Sequence, residues 1–444
     1  MIGIVADDIT GANDIGIMYA KADYRTDVYP LELWHAEAAA GDLPDVLVLD
    51  TNSRLDSAEE AYRKVFAATK AVQAAGCDRF FNKTCSVFRG NVGAEFDAML
   101  DALGASFAVI VLGFPKNGRT TIGGVHYVHG KLLEASEFRR DPVHPMTESN
   151  LISILQKQTK RTVDFVPIAL IEQGPGALRA EIERMRERCS YLILDVRDQG
   201  SLRIIAEAVQ DEPILCGSSA LSEELAILSR SMHPGESRKA GMESGGFPRV
   251  PFDQAALGRP SGSVLCAAGS LMPQTAAQIE YAKRSGIAAF ELDSLILLQV
   301  EGKETHLEQL IVQASAVLQA GRDVLVHASN DPDKVAETKR RASKLGTGNT
   351  DISRIVSDAL SSVVAAISER TGQRKLLIAG GETSSAVCAA LGVSGLRLLR
   401  EIEPGLPSCL AIGGTPYELV LKSGSFGSES FFVKAIAHLK ETIA

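Results

Sequence analysis

The feature that most constrains the fold is an alternation that runs along the whole chain. Short apolar segments such as "DVLVLD", "FAVIVLG" and "YLILDV" are each followed by a polar or glycine-rich corner and then by a helix-like stretch. Strands buried on both faces of a parallel sheet read as continuous apolar runs, and amphipathic helices connect them. The pattern therefore predicts an α/β fold with largely parallel sheets. It places two of the helices near Ser57–Ala75 and Val92–Leu103.

The length and a shift in composition predict two α/β domains. A chain of 444 residues is too long for one ordinary hydrophobic core. Between Met232 and Gly262, glycine, proline and charged residues crowd together and no periodic apolar face remains. We therefore expect a first domain over residues 1–235, a crossing over residues 236–261 and a second domain over residues 262–444.

Charge and cysteine content exclude several classes of protein. The net charge of −9, with no compensating basic stretch, argues against a nucleic-acid partner. No run of about 18 uncharged apolar residues is present, and the start "MIGIVADDIT" does not look like a secretion signal. The seven cysteines are scattered without a CxxC pair, which disfavours a zinc site or a disulfide framework. These observations favour a cytoplasmic protein with reduced thiols and no membrane partner.

The corners of the second domain have the composition of anion-binding loops. Ligands of parallel α/β sheets gather outside the carboxyl ends of the strands. Glycine lets backbone N–H groups approach an anion, and a helix N-terminus adds unsatisfied donors. Several such corners in one domain suggest a nucleotide. The corners are "AAGS" ending at Ser270, "GGETSS" from Gly380 to Ser385, "IGG" ending at Gly414 and "KSGSFGSE" from Lys422 to Glu429.

The same corners also admit a purely structural interpretation. "GGETSS" alone could be a well-capped helix start, with Thr383 or Ser384 as the N-cap residue. The chain contains no GxxxxGK[ST] pattern, and "GGETSS" does not fit GxGxxG. A standard P-loop or dinucleotide-binding fingerprint is therefore excluded.

The corners of the first domain carry charged and amide side chains that would suit a small polyhydroxylated carboxylate. Arginine clamps a carboxylate with two parallel hydrogen bonds, while Asp and Asn bind hydroxyl groups. The candidates are Asp7, Asp8, Thr10, Asn13 and Asp14 after the first strand, Asp50, Asn52 and Arg54 after the next, Asn82, Lys83, Ser86, Arg89 and Asn91 after the third, and Lys116, Asn117 and Arg119 after the fourth.

Purely structural or surface roles are an alternative for several of these residues. Asp14 could complement a helix dipole, Arg89 could pair with a structural Asp, and the corner from Lys116 to Arg119 could be ordinary surface. Three histidines show no ligand spacing on a helical face, so we expect no protein-held metal. These histidines are His126, His129 and His144.

Six motifs, in order along the chain, resemble the four-carbon acid sugar kinase family. They are "IVADDITGANDIG", "KTCSVFRGNVGAE", "GFPKNGRTTIGGVHYVHG", "DPVHPMTESNL", "IAGGETSSAV" and "LVLKSGSFGSESFF". The resemblance implies an ATP- and Mg²⁺-dependent kinase that phosphorylates the terminal hydroxyl of threonate, erythronate, 3-oxo-tetronate or a related acid sugar. It also implies a substrate-binding first domain, a nucleotide-binding second domain and an active site in the cleft between them. A homodimer is left open.

Matched position by position, the resemblance implies two sets of site residues. Nucleotide contacts would fall on Ser270, Gly380, Gly381, Glu382, Thr383 and Gly424. Substrate contacts would fall on Asp8, Arg54, Lys83, Ser86 and Arg89, with Asp8 or Asp7 as the catalytic group that accepts the hydroxyl proton. In the family pattern K-x-D-S-T-x-R-G, this chain has Cys85 and Val87 in place of the acid and the threonine. We therefore expect an altered preference among acid sugars.

Two other functions are compatible with parts of the sequence. One is an α/β dehydrogenase or isomerase that uses the glycine corners for a dinucleotide, against which the missing GxGxxG speaks. The other is a sugar-acid binding protein without catalysis, for which the Cys85 departure leaves room.

Overall fold

The structure is a computed structural model that describes residues 1–35, 43–141, 143–232, 262–299 and 301–441. The chain divides into two compact units, Met1–Arg249 (unit 1) and Val250–Ala444 (unit 2). The crossing expected over residues 236–261 lies outside the described residues. Within them, no helix combines the length and the hydropathy that crossing a bilayer would require.

Unit 1 is built on a parallel sheet whose strands follow the expected apolar runs. In the described residues the strand order is β2-β3-β1-β4-β11-β5-β10-β9, and every neighbouring pair is parallel. A second, antiparallel sheet has the order β6-β7-β8. The strands are β1 (Ile2–Ala6), β2 (Thr26–Pro30), β3 (Val46–Asp50), β4 (Arg79–Lys83), β5 (Ala108–Val111), β6 (Arg119–Ile122), β7 (Val125–Val128), β8 (Lys131–Leu132), β9 (Val163–Val166), β10 (Tyr191–Leu194) and β11 (Ile214–Gly217).

The helices of unit 1 connect these parallel strands. They are α1 (Ile9–Ala20), α2 (Ala58–Ala74), α3 (Val92–Leu103), α4 (Leu151–Gln156), α5 (Ile168–Ile171), α6 (Pro175–Arg186), α7 (Gln199–Val209) and α8 (Ala220–Met232). Ser57 caps α2 by accepting a hydrogen bond from the amide of Glu60. Gly104, in the left-handed conformation at φ 65°, ends α3. Both helices lie where the sequence predicted them.

Unit 2 contains a mixed sheet. Its order is β13-β14-β12-β15-β18-β17-β16, in which the pairs from β13 to β18 are parallel and β17 is antiparallel to both neighbours. The strands are β12 (Leu265–Ala268), β13 (Ala288–Leu292), β14 (Val324–Ala328), β15 (Lys375–Ala379), β16 (Gly395–Glu403), β17 (Leu406–Ile412) and β18 (Glu418–Lys422). The helices are α9 (Pro273–Arg284), α10 (Ser294–Leu297), α11 (Lys303–Gln319), α12 (Pro332–Lys344), α13 (Asn349–Thr371), α14 (Gly381–Ala390) and α15 (Phe431–Lys440).

The register brings most of the expected corners to one edge of each sheet. In unit 1, Ala6 pairs with Asp50 and with Lys83, and Lys83 pairs with Gly217. In unit 2, Ala379 pairs with Ala268 and with Lys422. Because these strands run in parallel, the residues that follow them meet at the carboxyl edge. The expectation of two α/β parts with largely parallel sheets is confirmed.

Candidate functional site

An arginine–aspartate cluster forms the centre of the carboxyl edge of unit 1. Arg54 Nε donates to Asp7 Oδ2 at 2.8 Å and its Nη2 donates to Asp7 Oδ1 at 2.7 Å, which is a bidentate ion pair. The Nη1 group donates to Asp8 Oδ2. Both carboxylates are buried, at 2% and 4% exposure. The sequence treated Arg54 as a substrate clamp, but three of its donors hold Asp7 and Asp8 in place.

Asp8 also begins helix α1. Its Oδ1 accepts from the amide of Gly11 at 2.6 Å, and Thr10 Oγ1 donates to Oδ2 at 3.0 Å. Burial opposes its ionisation, but Arg54 and Lys83 outweigh burial, so the pKa of Asp8 lies below its ordinary value. Asp8 is therefore an ionised, rigidly held carboxylate at neutral pH.

Lys83 ends β4 and lies beside the same cluster. Its Nζ is 3.3 Å from Asp14 Oδ2, and that oxygen also accepts from Ser219 Oγ at 2.7 Å. A Cβ atom at Gly11 would lie 3.1 Å from Lys83 Nζ and 2.7 Å from Asp8 Oδ1. The ammonium of Lys83 and the carboxylate of Asp8 therefore border the same small space.

Arg89 is fixed by groups from two distant segments. Its Nε donates to Cys85 Sγ at 3.3 Å, its Nη1 donates to Asp141 Oδ2 at 2.7 Å, and the guanidinium lies 5.2 Å from the Phe138 ring centroid. Burial raises the pKa of the Cys85 thiol, but Arg89 and Arg54 outweigh burial and lower it. A thiol whose ionisation is favoured by two arginines thus stands where the family pattern has a carboxylate.

The remaining unit 1 candidates are either buried or engaged in contacts with other parts of unit 1. Ser86 is buried in the segment between β4 and α3, and Arg119 is buried with its guanidinium 6.0 Å from the Phe138 ring centroid. Other candidates tie the backbone together: Asn82 donates to Glu95 O, and Asn91 donates to Ser53 O and Asp56 O. Lys116 is 43% exposed in its side chain and pairs with Glu223 at 2.6 Å.

Two groups of unit 1 that contact Arg89 and Arg54 were missed by sequence reasoning. Asp141 holds Arg89, and His144 Nε2 lies 2.9 Å from Arg54 O. Their signal was the motif "DPVHP", to which sequence reasoning assigned no residue roles.

Two buried carboxyl groups of unit 1 have raised pKa values. Glu95, which the sequence did not single out, accepts from Ser53 Oγ at 2.7 Å, and burial, reinforced by the negative charge of Asp7, raises its pKa to about 8. Asp50 also reaches a pKa of about 8, because burial outweighs its hydrogen bond from the Asn52 amide.

The carboxyl edge of unit 2 brings three predicted corners together. A Cβ atom at Gly424 would lie 2.1 Å from Ser270 Oγ, and one at Gly269 would lie 2.1 Å from Thr383 Oγ1. Gly380, at φ 122°, lies so that a Cβ atom would be 3.3 Å from the amide of Ser270. Glycine is favoured at 269 and 424 because real Cβ atoms do not come within 2.1 Å of other atoms, and at 380 because of its positive φ.

Helix α14 begins inside this group of residues and lacks a side-chain cap. Gly380 is its N-cap residue, so the alternative that Thr383 or Ser384 caps the helix is wrong. The amides of Gly381, Glu382 and Thr383 are first-turn donors that an α-helix leaves without intrahelical partners. Glu382 points its carboxylate to Ser353 Oγ on α13, and burial raises its pKa. The arrangement suits an anion at the helix N-terminus.

The fourth expected corner, "IGG", lies elsewhere. Strand β17 is antiparallel to β18, with Leu410 opposite Glu418, so its end at Ile412 is near the start of β18. A Cβ atom at Gly414 would contact Gly392 O at 3.3 Å. This part of the prediction was wrong, because an apolar run does not reveal the direction of its strand.

No protein-held metal cage is present in the described ranges, where no three His, Cys, Asp or Glu side chains are grouped to hold an ion. His126 is buried beside Thr121, and the seven cysteines, all within the described residues, are buried and form no disulfide.

Comparisons with known proteins agree with the division of the chain into two units. Residues 2–225 match the family described as a sugar-binding N-terminal domain, and residues 265–432 match the family described as a nucleotide-binding C-terminal domain. A Pseudomonas fluorescens protein named 3-oxo-tetronate kinase is 34% identical over 444 residues, which cover 99% of this chain and 97% of that relative.

Two crystal structures resemble the chain over its whole length. A Salmonella typhimurium protein described as a tRNA synthase has a TM-score of 0.76 and 28% identity, covering 98% of both chains. A Haemophilus influenzae protein of the DUF1537 family has a TM-score of 0.66 and 27% identity, covering 98% of this chain and 100% of that chain. The chain belongs to the four-carbon acid sugar kinase family, as the six motifs predicted.

Proposed function

We propose that the chain transfers the γ-phosphoryl group of ATP to the terminal hydroxyl of a small acid sugar of about four carbons, such as threonate, erythronate or 3-oxo-tetronate. The observation that carries the proposal is the uncapped start of α14 surrounded by close glycine approaches, which suits a polyphosphate. Relatives named 3-oxo-tetronate kinase support the acid sugar as the acceptor.

The nucleotide phosphates would be held largely by backbone donors of unit 2. The amides of Gly381, Glu382 and Thr383 offer the first-turn donors of α14, and Ser270 and Gly424 border the same space. Mg²⁺ bound with the nucleotide would neutralise phosphate charge. It would be coordinated mainly by phosphate oxygens and water, because magnesium keeps several waters and needs few protein ligands.

The acid sugar would be held by unit 1. Lys83 and Arg89 are proposed to attract its carboxylate. Arg89 donates from Nε to Cys85 and from Nη1 to Asp141. Its Nη2 makes no hydrogen bond to the described residues and is proposed to bind the substrate. Ser86 would bind a hydroxyl. Arg54 acts by holding Asp7 and Asp8 in position.

Asp8 is proposed to orient the reacting hydroxyl and accept its proton. A carboxylate with a lowered pKa is a weak base, but the transition state of phosphoryl transfer is largely dissociative and demands positioning more than strong deprotonation. The alternative base is Asp7, whose two oxygens both accept from Arg54. Transfer requires that the hydroxyl held by unit 1 reach the γ-phosphate held by unit 2.

A coupled assay of ADP release tests this proposal. Native protein is supplied with ATP, Mg²⁺ and, in turn, threonates, erythronates, 3-oxo-tetronates and glycerate. Asp8→Asn should lower kcat by about 100-fold or more, while Asp101→Asn, on the exposed face of α3, should leave it unchanged. Absence of ADP release with every acid sugar would refute the kinase, and acid sugar binding without ADP release would favour a binding protein. Unchanged turnover in Asp8→Asn would leave Asp7 as the base.

A further inference from the structure

A buried lysine supports the loop of residues 423–428, which follows β18. Lys422 is 0% exposed, and its Nζ donates to Ser423 O at 2.7 Å, Gly424 O at 3.3 Å and Thr275 Oγ1 at 3.0 Å. Thr275 Oγ1 in turn donates to Gly424 O at 2.7 Å. Lys422 at the end of β18 therefore holds the carbonyl groups of Ser423 and Gly424 from the interior, and Thr275 on α9 also holds that of Gly424.

The other end of the loop is held in the same way. Gln278, one turn after Thr275 on α9, donates from Nε2 to the carbonyl oxygens of Phe426, Gly427 and Ser428 at 2.9–3.1 Å. Five carbonyl groups of the loop thus accept hydrogen bonds from three buried side chains. In an ordinary surface turn, water could satisfy these carbonyl groups without any buried side chain.

Holding these carbonyls fixes the direction of the neighbouring amides. A trans peptide is planar, and its N–H points opposite to its C=O. Because Ser423 O and Gly424 O point to Lys422 and Thr275, the N–H groups of Gly424 and Ser425 point away from them. Two consecutive amides directed to one side form an anion-binding concavity.

The two amides lie at the nucleotide corner. Gly424 approaches Ser270 so closely that a Cβ atom would be 2.1 Å from its Oγ, and Gly380 N donates to Lys422 O at 2.9 Å. We propose that Lys422 is a positioning residue for nucleotide binding, which fixes Ser423 and Gly424 so that the amides of Gly424 and Ser425 can donate to phosphate oxygens. This inference rests on the proposed kinase function and assigns a role to a residue that does not itself contact the substrates.

The titration of Lys422 gives its positioning role a second measurable consequence. Burial lowers its pKa to about 7, partly opposed by Glu403 on β16, while Thr275, its contact from α9, is neutral. Nearby phosphates would raise this pKa, so nucleotide binding near pH 7 to 8 should take up a proton. A residue with only a packing role would not link nucleotide binding to a proton.

The test compares two buried lysines of unit 2 in the full chain. Lys422→Met removes the ammonium beside the loop. Lys375→Met removes the ammonium at the start of β15, which donates to Leu439 O at 2.6 Å and lies at the opposite end of the strand from Gly380. Mg·ATP affinity is measured by titration calorimetry in two buffers of different ionisation enthalpy.

We expect Lys422→Met to weaken Mg·ATP binding by about tenfold and to abolish the proton uptake seen with native protein at pH 7.5. Lys375→Met should keep both. In steady-state assays the loss in Lys422→Met should appear in the KM for ATP and leave the KM for the acid sugar unchanged.

Thr275→Val tests the same loop with an isosteric change and applies if Lys422→Met does not fold. It removes the donor to Gly424 O, so ATP affinity should fall by several-fold with proton uptake retained. If native protein binds no nucleotide, the proposed function fails. If native protein binds ATP and both Lys422→Met and Thr275→Val bind it equally well, or native binding takes up no proton, the role of Lys422 alone is refuted.

Discussion

The ion cluster of Arg54, Asp7 and Asp8 makes the stability of unit 1 depend on one guanidinium group. Arg54→Met removes the donors that reach the two carboxylates, while a flexible methionine fills part of the vacated volume. The aspartate side chains remain 1% and 6% exposed. The variant therefore buries two adjacent carboxylates, with Lys83 as the nearby cation.

The size of the effect follows from the contacts that are lost. Three hydrogen bonds to charged groups, at about 1.5–3 kcal/mol each, set an upper bound of about 4.5–9 kcal/mol. The variant also avoids the cost of burying the guanidinium, so the net loss is smaller. Breaking a buried ion pair from one side destabilises a protein by about 3–5 kcal/mol. The Arg54 side chain is only 15% exposed, so solvent screening is weak, and we expect unit 1 to lose about that much at pH 7.

The loss should depend on pH. In native protein the pKa of Asp8 is lowered, so its ionisation stabilises the fold above the unfolded pKa of about 3.9 and this contribution disappears as pH falls through the folded pKa. Without Arg54, burial raises the pKa of Asp8. The variant then gains stability by binding a proton as pH falls from 7 towards 5. The difference between native protein and variant should therefore shrink at acidic pH.

A single tryptophan makes unit 1 observable by itself. Trp34 is 9% exposed and packs against Tyr29 with the ring centroids 5.0 Å apart, so its fluorescence reports urea unfolding of this unit. The control is Arg63→Met, since Arg63 pairs with Glu60 on the surface and its loss should change stability by less than about 1 kcal/mol. A loss below about 1 kcal/mol for Arg54→Met at pH 7, or one that stays constant down to pH 5, would contradict the reasoning.

Three further outcomes are expected. Gly269→Ala places a Cβ atom 2.1 Å from Thr383 Oγ1 and should weaken ATP binding by about tenfold or more. The control Gly176→Ala, whose Cβ atom would meet open space, should leave ATP affinity unchanged, and titration calorimetry measures the affinity of both variants. Burial raises the pKa of Asp50 to about 8, so native stability should fall as pH rises from 5 to 8, and Trp34 fluorescence should show a smaller fall for Asp50→Asn. Cys85, with its lowered pKa, should be alkylated by iodoacetamide faster than the other cysteines at pH 7, and peptide mapping that finds another cysteine first would contradict this.

Local sequence signals predicted the elements and the positions of the corners. Helix α3 has the predicted bounds because its apolar residues are periodic and Gly104 supplies a left-handed end. The sequence predicted corners with close backbone approaches at Gly380 and Gly424, because glycine's role at such an approach depends on its own lack of a side chain. These inferences needed no knowledge of distant residues.

Pairings between distant segments could not be predicted in this way. Arg54 binds Asp7 and Asp8 across 47 and 46 residues of sequence, and Arg89 binds Asp141 across 52 residues. Each arginine is equally suited to a substrate carboxylate or to an aspartate, so residue type alone does not identify the partner. The antiparallel direction of β17 escaped prediction for a related reason, since strand pairing is a tertiary property.

The two candidate sites therefore offer different physical means of binding an anion. Unit 2 offers backbone amides that stay uncharged, and Lys422 beside them has a pKa that burial lowers to about 7. Unit 1 offers full charges, and three of its buried cations each lie beside a carboxylate, Arg54 beside Asp7, Lys83 beside Asp14 and Arg89 beside Asp141. Under the proposed function, an acid sugar carboxylate would compete with Asp14 for Lys83, while Arg89 would bind it through Nη2 and keep its hydrogen bond to Asp141. Selectivity in unit 1 should accordingly follow from how well each substrate's hydroxyl groups compensate for that competition. Cys85, which accepts a hydrogen bond from Arg89, and the buried Ser86 are then among the residues that should decide it.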